Sequence, residues 1–310
     1  MLGSSRTSSR EGDTSQMHNS SACDPEAWSD ERLTVANLGH ATLLANFFGV
    51  RLISDPTLFD RIGVCVNPFF TLGPRRIVAP ALSPPQLDPV DVILVTHAHM
   101  DHLDVRSLRA LSRKAVVVTA RGCSRIIGPL GYDDVRELRW GESTEVSGLK
   151  ITAIGARHWG KRWPPFGTDY GFASYVLEKQ GCRMLLACDS AYTELFRELS
   201  RQPLDVAAFS IGAYNPFIWN HANPEEVWRM FVQSGANYLI PIHWGTFRLS
   251  REPIHEPMAR LVAAAGKEEE RIVIRKIGGA WSLPDTRGAR ALPPEAAPDR
   301  EPWTSRHETR

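Results

Sequence analysis

Thr96-His97-Ala98-His99-Met100-Asp101-His102 places three of the chain's 10 histidines and one aspartate within six consecutive positions. In a chain of 310 residues that density is far from chance. Neutral imidazole and carboxylate suit zinc and related divalent cations, and alternating spacing lets two donors point one way while the next pair turns to a second ion. The bland alternative is a polar loop after a strand that happens to carry histidines. The rest of the chain argues against it, because each further candidate ligand stands just past an apolar run. Val92–Val95 leads to His97, Leu149–Ile154 to His158, Met184–Cys188 to Asp189, and Leu239–Ile242 to His243. Ligands at strand ends are how an open sheet assembles one site from distant sequence.

Around these positions short strands are expected at Leu33–Leu38, Thr42–Phe47 and Arg51–Ser54, punctuated by Gly39, Gly49 and Asp55-Pro56. A Pro-rich connection follows, too broken for a helix. Strands and helices then alternate. Strands are expected at Val92–Val95, Val116–Thr119, Leu149–Ile154, Gly171–Glu178, Met184–Ala187, Val206–Ile211, Tyr238–Ile242 and Arg271–Arg275. Helices are expected after an Asp104 N-cap, over Tyr192–Leu199, from Pro224 with Glu225 and Glu226 in its first turn, and over Pro257–Ala265. The pattern implies an α/β fold of two mixed sheets with helices outside, a four-layer αββα sandwich. We read residues 31–283 as one domain, 1–30 as a disordered leader and the Pro-rich stretch 284–310 as a flexible tail.

Composition narrows the function classes. The net charge of +1 lacks the basic excess of a nucleic-acid binder. No run approaches the roughly 18 apolar residues that span a bilayer, and the N-terminus shows no signal-peptide core. The five cysteines are odd in number and without C-x-x-C spacing, which argues against a disulfide framework and a cysteine zinc site and fits a reducing cytoplasm.

The His-x-His-x-Asp-His segment followed by His158, Asp189 and His243 resembles the metallo-β-lactamase superfamily through nearly all of the expected domain. Within it the chain is most similar to N-acyl-phosphatidylethanolamine-hydrolysing phospholipase D and its bacterial relatives. The likeness rests on Gly39-His40-Ala41-Thr42, Ser54-Asp55-Pro56, Gly73-Pro74-Arg75-Arg76, His158-Trp159 with Lys161-Arg162, and Asp189-Ser190-Ala191-Tyr192. It continues through Ile211-Gly212-Ala213-Tyr214, His221 with Pro224-Glu225-Glu226, and Ile242-His243-Trp244-Gly245-Thr246-Phe247. The resemblance implies two divalent metal ions, zinc by preference, with iron and manganese as other occupants of such a site. It places His97, His99 and His158 on one ion, Asp101, His102 and His243 on the other, and Asp189 between them as bridge and catalytic group. A hydroxide shared by the ions is the implied nucleophile.

Further residues carry two readings each. His221 matches a family histidine near the substrate, where it binds a phosphate oxygen or protonates a leaving group; otherwise it is a helix-entry residue. His40 and Asp55 orient ligand imidazoles, or serve only as turns. Arg75, Arg76, Lys161 and Arg162 attract a phosphate, or are surface charges. Tyr214 belongs with Trp219 among the candidate substrate contacts. Trp159, Trp163, Phe166, Phe217 and Trp219 line an acyl groove, or anchor loops on the core. Two departures stand out. Cys188 occupies a position where many relatives have glycine, and alternation makes it a packed thiol turned from the metals. Thr168–Ser174 lacks a tryptophan-rich pattern associated with the phospholipase.

The leading expectation is a phosphodiesterase acting on a lipid or other small molecule, with peripheral membrane contact and no nucleic acid. The alternative is a lactone or amide hydrolase resembling ascorbate-6-phosphate lactonase. A flavodiiron-like redox module would carry Glu within the cluster, where position 99 is His. A nuclease would need a clamp domain that is not visible, and a decayed, metal-free site is at odds with seven intact ligand types.

Overall fold

The computed structural model describes residues 21–67, 70–87, 89–162 and 170–284. The expected leader up to residue 20, the tail from 285, Trp163 and Phe166 lie outside the described residues. An eight-stranded sheet runs in the order Ser21–Ala22, Gly279–Ser282, Leu33–Gly39, Thr42–Phe47, Val50–Ser54, Val92–Val95, Val116–Ala120, Asp134–Leu138. Its last four strands are parallel. A six-stranded sheet runs Ser143–Val146, Leu149–Ile154, Ser174–Lys179, Cys182–Leu186, Leu204–Ser210, Ala236–Ile242, and its last three strands are parallel.

The parallel strands of the six-stranded sheet are buried on both faces, which explains why they read as apolar runs and not as alternation. Met184, Leu186, Val206, Ala208, Ile240 and Ile242 face a core shared with the eight-stranded sheet. Their neighbours Leu185, Ala187, Ala207, Phe209 and Leu239 face the helices Pro224–Ser234 and Glu256–Ala265. The first of these helices starts where its sequence says it should. Asn223 accepts from Glu226 N at 2.9 Å, Glu226 returns a carboxylate to Asn223 N at 3.1 Å, and Pro224 fills a first-turn position that needs no N–H. It ends on Gly235 in the left-handed conformation and buries Val227, Met230 and Phe231, each worth about 1.5–3 kcal/mol when fully removed from water. The short helix Val105–Ala110, capped by Asp104, and Ser124–Ile127 lie against the eight-stranded sheet and bury Leu108 and Ile127. The layers are helix, sheet, sheet, helix, as the sequence implies.

Several elements differ from expectation. The described fold starts before residue 31: Ser21–Ala22 pairs with Gly279–Ser282. Arg271–Arg275 is not a strand: its backbone meets the sheet at an isolated Leu239–Ile272 bridge. Arg271 reaches across to Ala236 O and Asn237 O of the edge strand, and Arg275 turns back on Ile272 O. Tyr192–Leu199 gives way to a 3-10 helix over Leu195–Arg201, whose buried Phe196 and Leu199 are spaced for a three-residue turn. The Pro-rich connection holds a hairpin, Val64–Asn67 with Phe70–Leu72.

Candidate metal centre

Every candidate ligand follows the C-terminal end of a strand. Val92–Val95 delivers the His97–His102 loop, Leu149–Ile154 leads to His158, Cys182–Leu186 to Asp189, and Ala236–Ile242 to His243. The site therefore straddles the seam between the sheets. The eight-stranded sheet supplies His97, His99, Asp101 and His102; the six-stranded sheet supplies His158, Asp189 and His243. The backbone is bent hard here: His40, Asp55, Ala213 and His243 are non-glycine residues at φ 57°, 37°, 63° and 61°. Gly212 packs so closely on the His243 carbonyl that a Cβ would stand 2.2 Å from it, so the residue after Ile211 has to be glycine.

Two donor sets result. His97 Nε2 lies 2.8 Å from His99 Nδ1, which lies 3.3 Å from His158 Nε2. On the other side Asp101 Oδ2 lies 3.2 Å from His243 Nε2 and 3.6 Å from His102 Nε2. Asp189 Oδ2 stands 3.0 Å from both His102 Nε2 and His243 Nε2. Tetrahedral ligands at zinc distances of about 2.0–2.2 Å stand roughly 3.3–3.6 Å apart, so donors at these spacings lie within a few tenths of an ångström of that geometry. His102 Nε2 is buried without a hydrogen-bond partner although a carboxylate is 3.0 Å away, the geometry of two donors aimed at a common third centre. The set fits divalent cations, and the clusters can hold them.

The remote nitrogens of His102, His158 and His97 are held from behind, which leaves their inner ones bare. Asp55 Oδ2 accepts from His102 Nδ1 at 2.8 Å, and the carbonyl of Asn220 accepts from His158 Nδ1 at 3.1 Å. His97 Nδ1 lies 2.9 Å from Thr96 Oγ1. His40 Nε2 donates to Asp101 Oδ2 at 3.0 Å, and Ser210 Oγ donates to Asp189 Oδ1 at 2.5 Å. His40 and Asp55 thus touch ligand side chains, while Thr96 and Ser210 are partners that sequence reasoning missed. Their only signal was a hydroxyl residue ending a buried apolar strand.

Electrostatics without a cation show the same demand for positive charge. Burial alone would raise the Asp101 and Asp189 carboxyls, but neighbouring imidazoles, His102 for the first and His243 for the second, hold both well below the usual range. Burial opposes a proton on His243, yet Asp189 and Asp101 raise it to about 9, and the carboxylates raise His102 as well. Burial lowers His97, His99 and His158, the set without its own carboxylate.

The remaining candidates divide. His221 joins the site: its Nδ1 is buried, unpartnered and 3.8 Å from Asp189 Oδ2. Trp159, 45% exposed, meets His99 edge-on at 4.8 Å, and Phe217 and Trp219 are exposed on the turn before His221. The basic residues do not converge. Arg76 is buried and donates to the carbonyls of Thr57, Leu38 and Val78, a clamp and not a phosphate ligand. Arg162 donates to Ala98 O and Leu103 O and so braces the histidine loop. Arg75 and Lys161 are exposed, Arg75 in a loose 3.8 Å pair with Asp60. The Tyr214 hydroxyl is committed to Glu256 at 2.8 Å, under the Arg260 guanidinium, so it secures a loop and does not reach for substrate. Cys188 is a buried thiol as expected, with Sγ 3.5 Å from His97 Nδ1 on the side away from the donors.

Residues 63–244, a segment that contains all seven of these donors, match the model of the β-lactamase superfamily domain. An uncharacterised protein of Mycobacterium tuberculosis is 34% identical over 254 residues, 78% of this chain and 67% of that protein. The N-acyl-phosphatidylethanolamine-hydrolyzing phospholipase D 1 of Caenorhabditis elegans is 29% identical over 297 residues, 88% of this chain and 81% of its own. Among solved structures, the metallo-β-lactamase fold protein YhfI from Bacillus subtilis aligns over 81% of this chain and 99% of its own, with a TM-score of 0.55 at 15% identity, a likeness of fold. Sequence match, layer order and the histidine–aspartate clusters agree: the chain belongs to the β-lactamase superfamily, as a metal-dependent hydrolase with the metallo-β-lactamase fold.

Proposed function

We propose that the chain is a dinuclear zinc phosphodiesterase of phospholipase D type, acting on N-acyl-phosphatidylethanolamine-like substrates. The observation that carries this reading is the convergence of two donor sets on Asp189, in a chain similar over most of its length to a phospholipase of that specificity. His97, His99 and His158 would hold one ion, Asp101, His102 and His243 the other, and Asp189 would serve both. Bound there, the cations supply a water of lowered pKa and offset charge growing on phosphoryl oxygens.

The chain's own groups do the rest. Ser210 fixes Asp189 Oδ1, which leaves Oδ2 facing the donors and able to orient or take a proton from water. Burial lowers His221 to about 4, so it meets substrate as a neutral imidazole that donates an N–H to a phosphoryl or leaving oxygen. Trp159, Phe217 and Trp219 offer apolar surface beside it for an acyl chain, and with it peripheral contact with a membrane. Among the described residues no helix is long and apolar enough to cross one. A reducing cytoplasm suits the buried thiols of Cys123 and Cys188.

The test pairs metal analysis with a substrate panel. Purified protein should hold about two zinc equivalents and turn over N-acyl-phosphatidylethanolamine faster than lactones or amides. His221→Ala should lower that turnover by about 10²–10⁴-fold with metal content unchanged. A preference for lactones or amides would overturn the phospholipase reading and leave the hydrolase.

A further inference from the structure

None of the four cations expected to meet a phosphate converges on the centre, but a fifth, which the sequence does not single out, stands beside it. Gly212-Ala213 and the stretch 244–257 enclose a cavity of about 340 Å³, part of it open to solvent. Trp244, Phe247, Leu249 and Ile254 give it apolar walls, and Arg248 lines it too. Arg248 is exposed, and its guanidinium has no hydrogen-bond or ion-pair partner among the described residues. The one carboxylate of the wall, Glu252, already accepts from Ala213 N, Asn215 N and Ser250 Oγ. The cavity thus offers apolar surface with one uncommitted positive charge, which suits an anion that carries an organic group.

Its position relative to the centre is one-sided. His40 and His243 line it, and both bond Asp101, so it adjoins the donor set of Asp101, His102 and His243. His221 and Trp159 do not line it. The His221 ring stands between the sets, 5.2 Å from that of His158 and 5.4 Å from that of His243, and Trp159 meets His99 of the other set. A phosphodiester has two arms, and cleavage of phospholipase D type treats them differently. The oxygen of water bonds to phosphorus and the bond from phosphorus to the ethanolamine oxygen breaks. That oxygen leaves with a proton as the alcohol, while the glyceryl arm stays on the phosphate. A proton donor belongs at the leaving arm, which directs that arm toward His221 and the aromatic rim and leaves the opposite end for the retained one.

We propose that this cavity is the subsite for the retained glyceryl arm and that Arg248 pairs with the phosphate that carries it. This rests on the phosphodiesterase reading above. Size limits the occupant. At the share of a water molecule, about 30 Å³ per non-hydrogen atom, the cavity holds roughly ten. A glyceryl group with its two ester carboxyls fits that space; two acyl chains do not, and they run out through the open side.

The experiment measures binding to the zinc-loaded protein by calorimetry. Its ligands are dibutyryl phosphatidate (the product with shortened chains), inorganic phosphate, and N-butyrylethanolamine as the leaving arm. Melting temperature and zinc content of each variant control for folding. Arg248→Met should weaken phosphatidate by about 10–100-fold, and Arg248→Lys should recover most of the loss. Ile254→Trp fills the cavity without changing charge. It should weaken phosphatidate by about tenfold and leave inorganic phosphate and N-butyrylethanolamine bound as in the wild type. On N-acyl-phosphatidylethanolamine, Arg248→Met and Ile254→Trp should raise KM more than they lower kcat, since the retained arm is held alike before and during the chemistry. Phosphatidate bound as tightly by either variant as by the wild type would overturn the subsite. So would an Ile254→Trp protein that weakens inorganic phosphate or N-butyrylethanolamine as much as phosphatidate. Should Ile254→Trp fail to fold, Ile254→Phe and the Arg248 pair still decide. A wild type that binds no phosphatidate and prefers lactones or amides sinks the function proposed above and the subsite with it. A wild type that cleaves the phosphodiester, with both variants indifferent, sinks the subsite alone.

Discussion

Arg162 donates to carbonyls on either side of Met100–His102, and burial lowers its pKa. Its removal should therefore act on the metal loop. Arg162→Met would leave Ala98 O and Leu103 O short of a donor, at about 1–3 kcal/mol. The expected outcome is a lower Tm and weaker zinc retention with KM for a phosphodiester unchanged. A raised KM at full zinc content would return Arg162 to the substrate. The contrast with the histidines shows what is legible at this scale. Metal chemistry restricts ligand types so tightly that His97, His99, Asp101 and His102 announce themselves, and His158, Asp189 and His243 follow from one strand-end rule. A guanidinium carries no such restriction. Arg76 and Arg162 find main-chain carbonyls far away in sequence, and nothing local distinguishes them from Arg75, which stays on the surface. Thr96 and Ser210 were hidden for the same reason, since a hydroxyl's role depends on what the fold brings to it.

Among elements, the loop that carries His221 depends on a carboxylate from a later segment. Glu252, buried, accepts from Ala213 N at 2.6 Å, Asn215 N at 3.2 Å and Ser250 Oγ at 2.6 Å. Glu252→Ala frees three donors and the left-handed turn at Ala213. We expect kcat to fall by at least about tenfold, as mispositioning by an ångström does, while zinc content holds; an unchanged kcat would show that the turn is held by its own packing. Strand and helix positions were readable where burial is two-sided, where it alternates cleanly or where caps are explicit. Val92–Val95 is buried throughout, Leu149–Ile154 alternates, both have the bounds that the sequence suggests, and Pro224–Ser234 has its cap written in Asn223 and Glu226. Elements held by pairing alone were not. Asp134–Leu138 and Ser143–Val146 are polar strands, each at a sheet edge, and Gly279–Ser282 is fixed by partners over two hundred residues away. Arg271–Arg275 alternates convincingly yet meets the edge strand at one bridge, with the Arg271 side chain on Ala236 O and Asn237 O in place of a ladder.

For the molecule as a whole, the acidic side of the centre makes metal-free stability depend on pH. His243 is raised from 6.5 to about 9 by Asp189 and Asp101 against burial. A raised histidine contributes stability that is complete below its unfolded pKa and lost as pH rises through the folded one. Metal-free protein should therefore lose thermal stability between about pH 6.5 and 9, whereas the zinc-loaded form, whose ligands are already deprotonated, should not. Parallel melting curves across that window would refute this.

The seam position of the centre has a mechanical meaning. Cations there act as a clasp on one rim of a sandwich whose far rim is closed by hydrocarbon contact. Chelation should loosen the molecule unevenly, as a book opens from its fore-edge and not its spine. Amide exchange ought to quicken first at residues 96–103, 187–190 and 211–214 and stay slow along Ala45–Phe47 and Leu149–Ile151, so that cofactor loss is sensed as an opening in one direction well before any general unfolding.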